Sequence, residues 1–377
     1  MLDFNQSIIN CFSNAVFYEF LCVIFPLYAI FILINLFFIY KSKKKQINLT
    51  FPSFFSIIII TKNGDLSNIL DFLNNKTLNF EVLIGDDNST VPISEKLNFS
   101  KYNFDISIER IEKSPWKSSK KYLLDKLIKK SKYEKIITLD DDTIINDSFL
   151  DFASRIDINK YKYVNGLIIP YSKKENLLIK IFAIDFIGFN LLQISTTLLK
   201  IPLYANANNQ IFSKTAYLEV KPFENNKDIK SGDDFFIMHY ISKKYPYTSI
   251  FSEKFYTKTE IPSSFLGFIK QRLRWNSKTH LSPNKYVILI GVIIYLFYLM
   301  LFTTLFKNPY LFWLLIILKT IIDYLFILPA KKLIKENLKI NTINLFFYTL
   351  ITEIFQLFYI TIITPISIIY GNLIKWK

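Results

Sequence analysis

Three consecutive aspartates, Asp140, Asp141 and Asp142, directly follow the apolar run 135–139 of this chain. The β-branched residues of the run predict a short buried strand, whose end would project carboxylates into a cleft outside a sheet. Alternating residues of an extended segment face the same way, which favours Asp140 and Asp142 as a pair. Mg²⁺ or Mn²⁺ would relieve the repulsion between them and could share its ligands with substrate phosphates. The triplet therefore indicates a metal site; the alternative is an acidic turn in which Asp142 or Asp147 caps the next segment.

Two further acidic pairs stand beside predicted elements. Asp86 and Asp87 follow the apolar segment 80–84, which predicts another buried strand, and Asp233 and Asp234 directly precede a predicted helix. A carboxylate at the start of a helix is usually a cap. The functional alternative is a general base, which would have to lie within about 3 Å of the hydroxyl group that it deprotonates.

The segment Phe265–Trp275 has an apolar face and a basic face. On a helix Gln271 and Arg274 lie one turn apart, with Trp275 beside them. Arginine can bind a diphosphate through two parallel hydrogen bonds, and an indole ring offers a flat surface for a sugar. The alternative is an amphipathic helix at the membrane interface, just before a membrane span.

Strands and helices alternate around the acidic clusters. Strands are predicted at Phe54–Ile60, Phe80–Ile84 and Phe104–Ile111, and helices at Leu66–Asn74 and Ser118–Lys132. Such alternation predicts a mostly parallel sheet with helices on both faces, which binds ligands outside the carboxyl ends of its strands. A nucleotide is therefore expected between the acidic clusters.

The composition predicts a membrane protein that carries a polar domain. Of the 377 residues, 51% are hydrophobic and 17% aromatic, and the mean hydropathy is +0.25. Spans are predicted at Phe17–Tyr40, Tyr286–Phe306, Tyr310–Leu328 and Ile343–Tyr370. The positive-inside rule places the basic segments 41–45 and 330–339 in the cytoplasm.

Three parts are expected on this basis. Residues 1–45 hold the first membrane helix and its basic stop, 46–284 form a cytoplasmic domain, and 285–377 form membrane helices. Interfacial helices are expected near 176–199 and 262–280. The first is apolar but interrupted by Lys180, Asp185 and Gln193, so it is expected to lie in the interface or to pack beneath the membrane domain, with a fifth span as the alternative.

The net charge of +15 does not indicate nucleic acid, because the lysines are scattered or lie beside predicted spans. Attraction to anionic membrane lipids explains the excess, and no nucleic-acid motif is present. The two cysteines, Cys11 and Cys22, lie before and inside the first span. This excludes a disulfide framework or a cysteine-ligated zinc site in the cytoplasmic region.

Four polar motifs occur in a fixed order: Asp87, Asp140-x-Asp142, Asp234 and Gln271-x-x-Arg274-Trp275. The set resembles the membrane-bound family 2 glycosyltransferases, which include the cellulose, chitin and hyaluronan synthases and the ceramide glucosyltransferases. The resemblance covers about residues 54–275, and the flanking spans match that architecture. It implies an α/β GT-A-type domain, Rossmann-like with a mostly parallel sheet, joined to one N-terminal and about three C-terminal transmembrane helices.

The resemblance also implies roles for the donor-site residues. Asp86 or Asp87 would contact the uracil or ribose of a nucleotide-sugar. Asp140 and Asp142 would hold Mg²⁺ or Mn²⁺ on the diphosphate, and Lys120 matches a basic position that faces the donor phosphates.

The same resemblance assigns the catalytic and acceptor side of the reaction. Asp234 resembles the catalytic base, and Asp233 is the less favoured choice. The motif at 271–275 resembles one that lines the donor and acceptor sites beneath the membrane, and Ala205–Asn209 resembles a small-residue segment near the acceptor.

The implied reaction is inverting transfer of a sugar from a nucleotide-sugar, with a UDP-sugar favoured, to a lipid-linked or polysaccharide acceptor at the cytoplasmic membrane face. Four spans are few for one subunit that secretes a polymer, so a lipid acceptor or a short glycan on a lipid carrier fits at least as well. The alternative is a polytopic transporter or signalling protein whose cytoplasmic domain only binds nucleotide. A binder needs no base, so Asp234 argues against it. The oligomeric state stays open.

Two positions depart from the family pattern: Gly64 stands where an acidic residue is usual, and Asn88 stands where glycine is common. Lys319, Asp323 and Glu353 are ionisable residues inside predicted spans. Such groups are costly at that depth and usually paired, which favours a structural ion pair over an acceptor path.

Overall fold

The computed structural model describes residues 2–44, 49–276 and 284–370, with side chains described from residue 15. Lys45 of the predicted basic stop and positions 277–280 of the predicted interfacial helix lie outside the described residues.

In the described part of the chain, nine strands form one mixed sheet: β1 (Phe55–Thr61), β2 (Phe80–Asp87), β3 (Asp105–Ile111), β4 (Lys135–Asp140), β5 (Ile144–Ile145), β6 (Tyr163–Tyr171), β7 (Gln210–Ser213), β8 (Tyr247–Ile250) and β9 (Tyr256–Glu260). The strand order is β3-β2-β1-β4-β7-β6-β9-β5, and β8 also pairs with β6. Strands β1 to β4 are parallel, β6 is parallel to β8 and β9, and β5 and β7 are antiparallel to their neighbours. The predicted mostly parallel α/β sheet is confirmed.

The helices that surround the sheet are α2 (Ser67–Asn74), α3 (Ile93–Lys96), α4 (Ser119–Lys130), α5 (Phe149–Ser154), α6 (Leu177–Leu198), α7 (Lys214–Val220), α8 (Asp233–Lys244) and α9 (Phe265–Asn276). The long helix α1 (Leu2–Lys44) precedes the sheet, and α10 (Lys285–Lys307), α11 (Pro309–Ile327), α12 (Lys331–Leu338) and α13 (Thr342–Tyr370) follow it.

Strand β1 is buried on both faces, which is why its sequence is an unbroken apolar run rather than an alternating one. Ile57 and Ile59 belong to the same core as Leu70 of α2. Ile58 and Ile60 belong to the core on the opposite face of the sheet, with Leu124 and Leu127 of α4. Helices on both faces therefore fix the central strands, and with them the positions of the loops that follow.

The parallel register brings the acidic strand ends to one edge of the sheet. Thr61 of β1 lies opposite Asp86 of β2, and Ile60 lies opposite Asp140 of β4. This is the carboxyl edge, where α/β sheets bind ligands.

Five helices in the described part of the chain are long and apolar enough to cross a membrane: 15–43, 177–198, 285–307, 309–338 and 342–369. Four of them match the predicted spans. The fifth, α6, is more deeply buried: 67% of its most apolar stretch lies inside the protein, against 22% to 44% for the other four helices. It packs on β6 and β8 and also on α1, α11 and α13. Helix α6 is therefore a layer between the sheet and the other long helices.

The connection between α11 and α13 lies beside the sheet. Helix α12 packs on β6, and Lys339 Nζ lies 2.6 Å from Glu175 just before α6. The end of α1 reaches the same region, because Lys43 Nζ donates to the Pro329 carbonyl at 3.3 Å. The ends of α1 and α11 and the beginning of α13 are thus on the side of the sheet.

Candidate active site

Asn208 fixes the turn that carries the aspartate triplet. Its side-chain oxygen accepts a hydrogen bond from the Asp140 amide at 3.1 Å and another from the Thr143 hydroxyl at 3.0 Å. Asn208 is buried, and it lies directly before β7, the antiparallel neighbour of β4. The predicted acceptor segment Ala205–Asn209 therefore contributes a side chain that positions Asp140.

Lys120, in the first turn of α4, joins two of the acidic clusters. Its ammonium group lies 2.7 Å from Asp140 and 3.2 Å from Asp233. Burial alone would lower the pKa of Lys120, but these two carboxylates raise it above its ordinary value. Lys120 therefore stays charged and neutralises part of the carboxylate cluster.

Asp141, which had no role at the level of sequence, turns towards the end of β1. Thr61 donates a hydrogen bond to its carboxylate at 2.5 Å, and the Gly64 amide donates to the Thr61 hydroxyl at 3.1 Å. A Cβ atom at Gly64 would lie 2.2 Å from Asp141 Oδ2 and 2.4 Å from Thr61 Oγ1. Gly64, which departs from the family pattern, thus leaves the space that the Asp141 carboxylate occupies.

Asp142 is exposed and faces β9, where Thr259 donates to it at 3.4 Å. The pKa of the Asp142 carboxyl group is raised to about 6. The main cause is that the surrounding protein removes water from the carboxylate, and the second is repulsion by the charges of Asp140 and Asp141. The triplet is therefore a crowded group of negative charges, as predicted.

Asp233 and Asp234 occupy the first turn of α8 in different ways. Asp233 is buried and interacts with Lys120, while a carboxylate oxygen of Asp234 accepts the Phe235 amide at 2.8 Å. Gly232 before them has φ = 88°, a left-handed conformation that favours glycine. The backbone carbonyl of Asp234 accepts a hydrogen bond from Gln210 at 3.0 Å. Gly232 is the N-cap residue of α8 and no side chain forms a capping hydrogen bond there, so the predicted capping role of the aspartates is not found; Asp233 instead lies beside the triplet through its contact with Lys120.

The buried side chain of Asp86 is enclosed by hydrogen bonds and an ion pair. It is fully buried, its oxygens accept the amides of Ser89 at 2.8 Å and Ile93 at 3.1 Å, and Arg110 lies 2.8 Å away. Burial would raise the pKa of Asp86, but the bonds from Ser89 and Ile93 and the Arg110 guanidinium lower it.

Asp87, the last residue of β2, is half-buried and accepts a hydrogen bond from the Ser119 hydroxyl at 2.5 Å. Asn88 follows it with φ = 53°, a left-handed conformation that asparagine tolerates better than most residues. The family's frequent glycine at this position and the asparagine here thus meet the same backbone requirement. Of the two candidates, Asp87 is the one at the edge of the cleft.

A small pocket at this edge is lined by Lys120, Asp140, Asp233 and Asp234 together with apolar residues of β1, β4 and α8. The four charged residues come from two parts of the chain, 120–140 and 233–234. The structure thus brings four predicted site residues together around one cavity.

The remaining motif lies on α9 and does not line this pocket. Gln271 and Trp275 are half-buried and Arg274 is exposed, so solvent reaches part of each of the three side chains. Trp275 is held among aromatic rings of α6, with centroids 6.1 Å from Phe186 and 6.4 Å from Phe189.

The three ionisable residues predicted inside spans contact one another. Lys319 Nζ lies 2.6 Å from Asp323 on the same helix and also bonds to Glu353 of α13. The Tyr28 hydroxyl donates to Asp323 at 2.7 Å. The group therefore ties α1, α11 and α13 together.

Sequence reasoning did not find Thr61, Ser119 or Gln210 as parts of the site, and it named Asn208 only as a member of the acceptor segment, not as a residue that positions Asp140. Each acts through a hydrogen bond to a residue distant in the chain, so spacing gave no signal for it.

The profile of the family described as Glycosyl transferase family group 2 matches residues 135–369, more than half of the chain. The chain therefore belongs to this glycosyltransferase family, and the enzyme class predicted from the motifs is confirmed. No curated protein sequence matches the chain.

Among solved structures, S. aureus TarS 1–349 is similar with a TM-score of 0.43 and 14% identity, over 86% of this chain and 93% of that one. Its complex with UDP-GlcNAc gives 0.43 and 15%, over 85% and 91% of the two chains. Its complex with UDP gives 0.41 and 16%, over 85% and 92%. These likenesses are weak, so the assignment rests on the family match.

Proposed function

We propose that the protein transfers a sugar from a nucleotide-sugar, a UDP-sugar being favoured, to a membrane-associated acceptor with inversion at the anomeric carbon. The observation that carries this proposal is the single pocket shared by Lys120, Asp140, Asp233 and Asp234 at the carboxyl edge of the sheet. The pocket combines a cation that could bind phosphate with carboxylates that could bind a metal ion or take a proton from a hydroxyl group.

Asp234 is the proposed general base. It would take the proton of the acceptor hydroxyl, whose oxygen then forms a bond to C1 of the donor sugar. The bond between C1 and the diphosphate oxygen breaks, and the nucleoside diphosphate leaves with the electron pair. Asp233 is the less favoured choice because its side chain is buried.

Positive side chains would stabilise the charge that builds on the leaving diphosphate. Lys120 is already beside the pocket, and Arg274 of α9 is proposed to act from the opposite side. Gln271 and Trp275 are proposed to line the sugar and acceptor positions, and Asp87 is proposed to contact the nucleoside.

Asp140 and Asp142 are proposed to hold a Mg²⁺ or Mn²⁺ ion as a pair of hard oxygen ligands. In the described residues no group of three or more His, Cys, Asp or Glu side chains could hold a metal ion by itself. A two-carboxylate site suits Mg²⁺, which commonly takes its other ligands from substrate phosphates and water. When bound, the ion would neutralise charge on the diphosphate.

The acceptor is proposed to be lipid-linked, because the long helices lie next to the sheet and α12 contacts β6. The basic connection 330–339 lies on the side of the sheet, which by the positive-inside rule supports a cytoplasmic sheet.

The test supplies labelled nucleotide-sugars to membranes that contain the protein, with Mn²⁺ or with EDTA. We expect transfer with at least one donor, loss of transfer with EDTA, and a product that organic solvent extracts. An insoluble or size-heterogeneous product would instead indicate a polymer, and no transfer or hydrolysis from any donor would contradict the proposal.

Asp234→Asn tests the assignment of the base. We expect transfer to fall by about 10²- to 10⁴-fold with nucleotide binding retained. Asp228→Asn, a change of the same kind at an exposed position nearby, is the matched control. Equal loss of binding and transfer in Asp234→Asn would count against the base assignment.

A further inference from the structure

Two side chains of helix α9 are buried in the protein, while others of its side chains make contacts at the surface of the helix. Phe268 and Arg272 are its buried residues, while Gln271, Arg274 and Trp275 of the family motif are more accessible. Arg272 stands inside the motif but has no assigned role. It is 1% exposed, which is rare for an arginine and requires a partner.

The partner of Arg272 is Asp185, in the middle of α6. The two form a buried ion pair, and Asp185 also accepts hydrogen bonds from Gln356 at 2.7 Å and from Tyr359 at 2.8 Å, both on α13. The carboxylate is itself buried. Asp185 is therefore the point at which α6, α9 and α13 meet.

The guanidinium of Arg272 is also enclosed by aromatic rings. Its central carbon lies 4.3 Å from the ring centroid of Trp275, 4.6 Å from Phe268 and 5.0 Å from Phe189. Such stacking is favourable for arginine and is stronger where water is excluded. Because Trp275 forms one side of this enclosure, the position of its indole ring depends on Arg272.

From these contacts we infer that Asp185 and Arg272 are positioning residues for the motif on α9: their ion pair sets where Gln271, Arg274 and Trp275 stand relative to the sheet carboxylates. Helix α9 packs chiefly on α13, whereas α6 packs on β6 and β8 as well. The ion pair thus joins the motif to the sheet through α6. This inference rests on the proposed function of the motif.

The hydrogen bonds continue from Asp185 into the long helices. Gln356, which donates to Asp185, accepts a hydrogen bond from Tyr298 of α10 at 2.6 Å. The ring of Tyr298 lies 5.0 Å from Lys319, which bonds to Glu353. The position of α9 therefore also depends on residues of the membrane-type helices that are remote from the sheet carboxylates.

The experiment measures kcat and the KM for the donor in Asp185→Asn, Arg272→Gln and Arg272→Lys. We expect kcat to fall by about 10- to 100-fold in the first two, because small displacements of positioned groups have effects of that size. Arg272→Lys keeps the charge and should retain more of kcat than Arg272→Gln. Tyr359→Phe removes one hydroxyl from Asp185 and provides a milder variant, with a smaller fall, if the others fail to fold.

Lys135→Met is the matched control. It removes another buried cation, at the opposite end of β4 from the triplet, and should lower stability without changing kcat. If Asp185→Asn and Arg272→Gln keep the wild-type kcat per folded molecule, the inference is wrong. It is also wrong if Arg272→Lys and Arg272→Gln lose activity equally.

Trp275 provides a readout that does not depend on catalysis. The fluorescence of Trp275 is obtained by subtracting the emission of the same protein carrying Trp275→Phe. Quenching of this fluorescence by acrylamide reports how firmly the ring is enclosed. We expect more quenching in Arg272→Gln and Asp185→Asn and none in excess of wild type in Lys135→Met. If the wild-type protein transfers no sugar, the proposed function is contradicted, but the quenching measurement still tests the ion pair. If quenching is the same in the variants and the wild type, only the inference is contradicted.

Discussion

The Lys120 ammonium group lies 2.7 Å from a carboxylate oxygen of Asp140, the first residue of the aspartate triplet. The same group reaches Asp233 at 3.2 Å, so one cation links the end of β4 to the start of α8. A donor diphosphate offers more negative charge than one carboxylate. Under the proposed function, Lys120 would exchange a carboxylate partner for phosphate oxygens when the donor binds.

Lys120→Met should impair donor use far more than it impairs folding. Loss of the cation leaves the carboxylates of Asp140 and Asp233 facing the diphosphate, and we expect kcat/KM for the donor to fall by about 10²- to 10³-fold. Steady-state kinetics with varied donor checks this, and Lys117→Met, at an exposed position in the same segment, serves as the control. Unchanged kinetics in Lys120→Met would remove the lysine from the donor site.

Asp86 and Asp87 should give opposite results when each is changed to asparagine. Asp86→Asn weakens buried hydrogen bonds and leaves Arg110 without its carboxylate, so we expect a loss of about 2–3 kcal/mol of unfolding free energy. Asp87→Asn should leave stability near wild type and weaken nucleotide binding. Thermal unfolding and nucleotide titration separate the two, and weaker binding in a fully stable Asp86→Asn protein would reverse the assignment.

Gly64→Ala should destabilise the protein by about 1–3 kcal/mol, because the added methyl group would overlap the carboxylate of Asp141. The double variant Gly64→Ala, Asp141→Ala removes that carboxylate and should recover part of the loss. Comparison of the two unfolding midpoints is the measurement. If the single variant is as stable as wild type, the contact between Gly64 and Asp141 is not as close as described.

Lys135 should make stability depend on pH in the alkaline range. Its side chain is buried with Ser53 Oγ at 2.7 Å and the Ala153 carbonyl at 3.0 Å, and burial lowers its pKa to about 8. Between pH 8 and the ordinary lysine pKa of about 10.4, the unfolded chain binds more protons, so stability rises with pH.

The rise attributable to Lys135 is on the order of 3 kcal/mol, at about 1.4 kcal/mol for each pH unit. It should be absent in Lys135→Met and present in Lys129→Met, a change at an exposed lysine. The difference between the unfolding free energies of wild type and each variant, followed against pH, isolates this contribution. A flat difference for Lys135→Met would show that the burial does not perturb this lysine.

The sequence predicted the central strands well because their signal is local. Ile57 to Ile60 form an unbroken apolar run that only a strand covered on both faces explains, and the aspartates after β4 must then lie at the sheet edge. The four predicted spans are likewise set by length and apolarity, which need no knowledge of neighbours.

What the sequence could not predict depends on contacts between distant residues. The ion pair of the buried Asp86 carboxylate with Arg110, 24 positions later in the chain, is one such contact. The burial of Arg272 follows from Asp185, 87 positions earlier in the chain. The sequence predicted that α6 lies in the interface or packs beneath the membrane domain, but its contacts with β6 and β8 on one side and with α1, α11 and α13 on the other depend on packing and not on composition.

Leu167 and Ile169 of β6 share one core with Phe326 of α11 and with Leu333 and Ile334 of α12. A gene truncated after residue 284 would therefore yield a sheet with one apolar face stripped of its cover. Such a fragment is expected to aggregate during expression, and the minimal unit for purification runs through α13, which packs on α6, α9 and α11. Recombination between relatives would meet the same constraint, because the sheet and its membrane-type helices are inherited as a single folding unit.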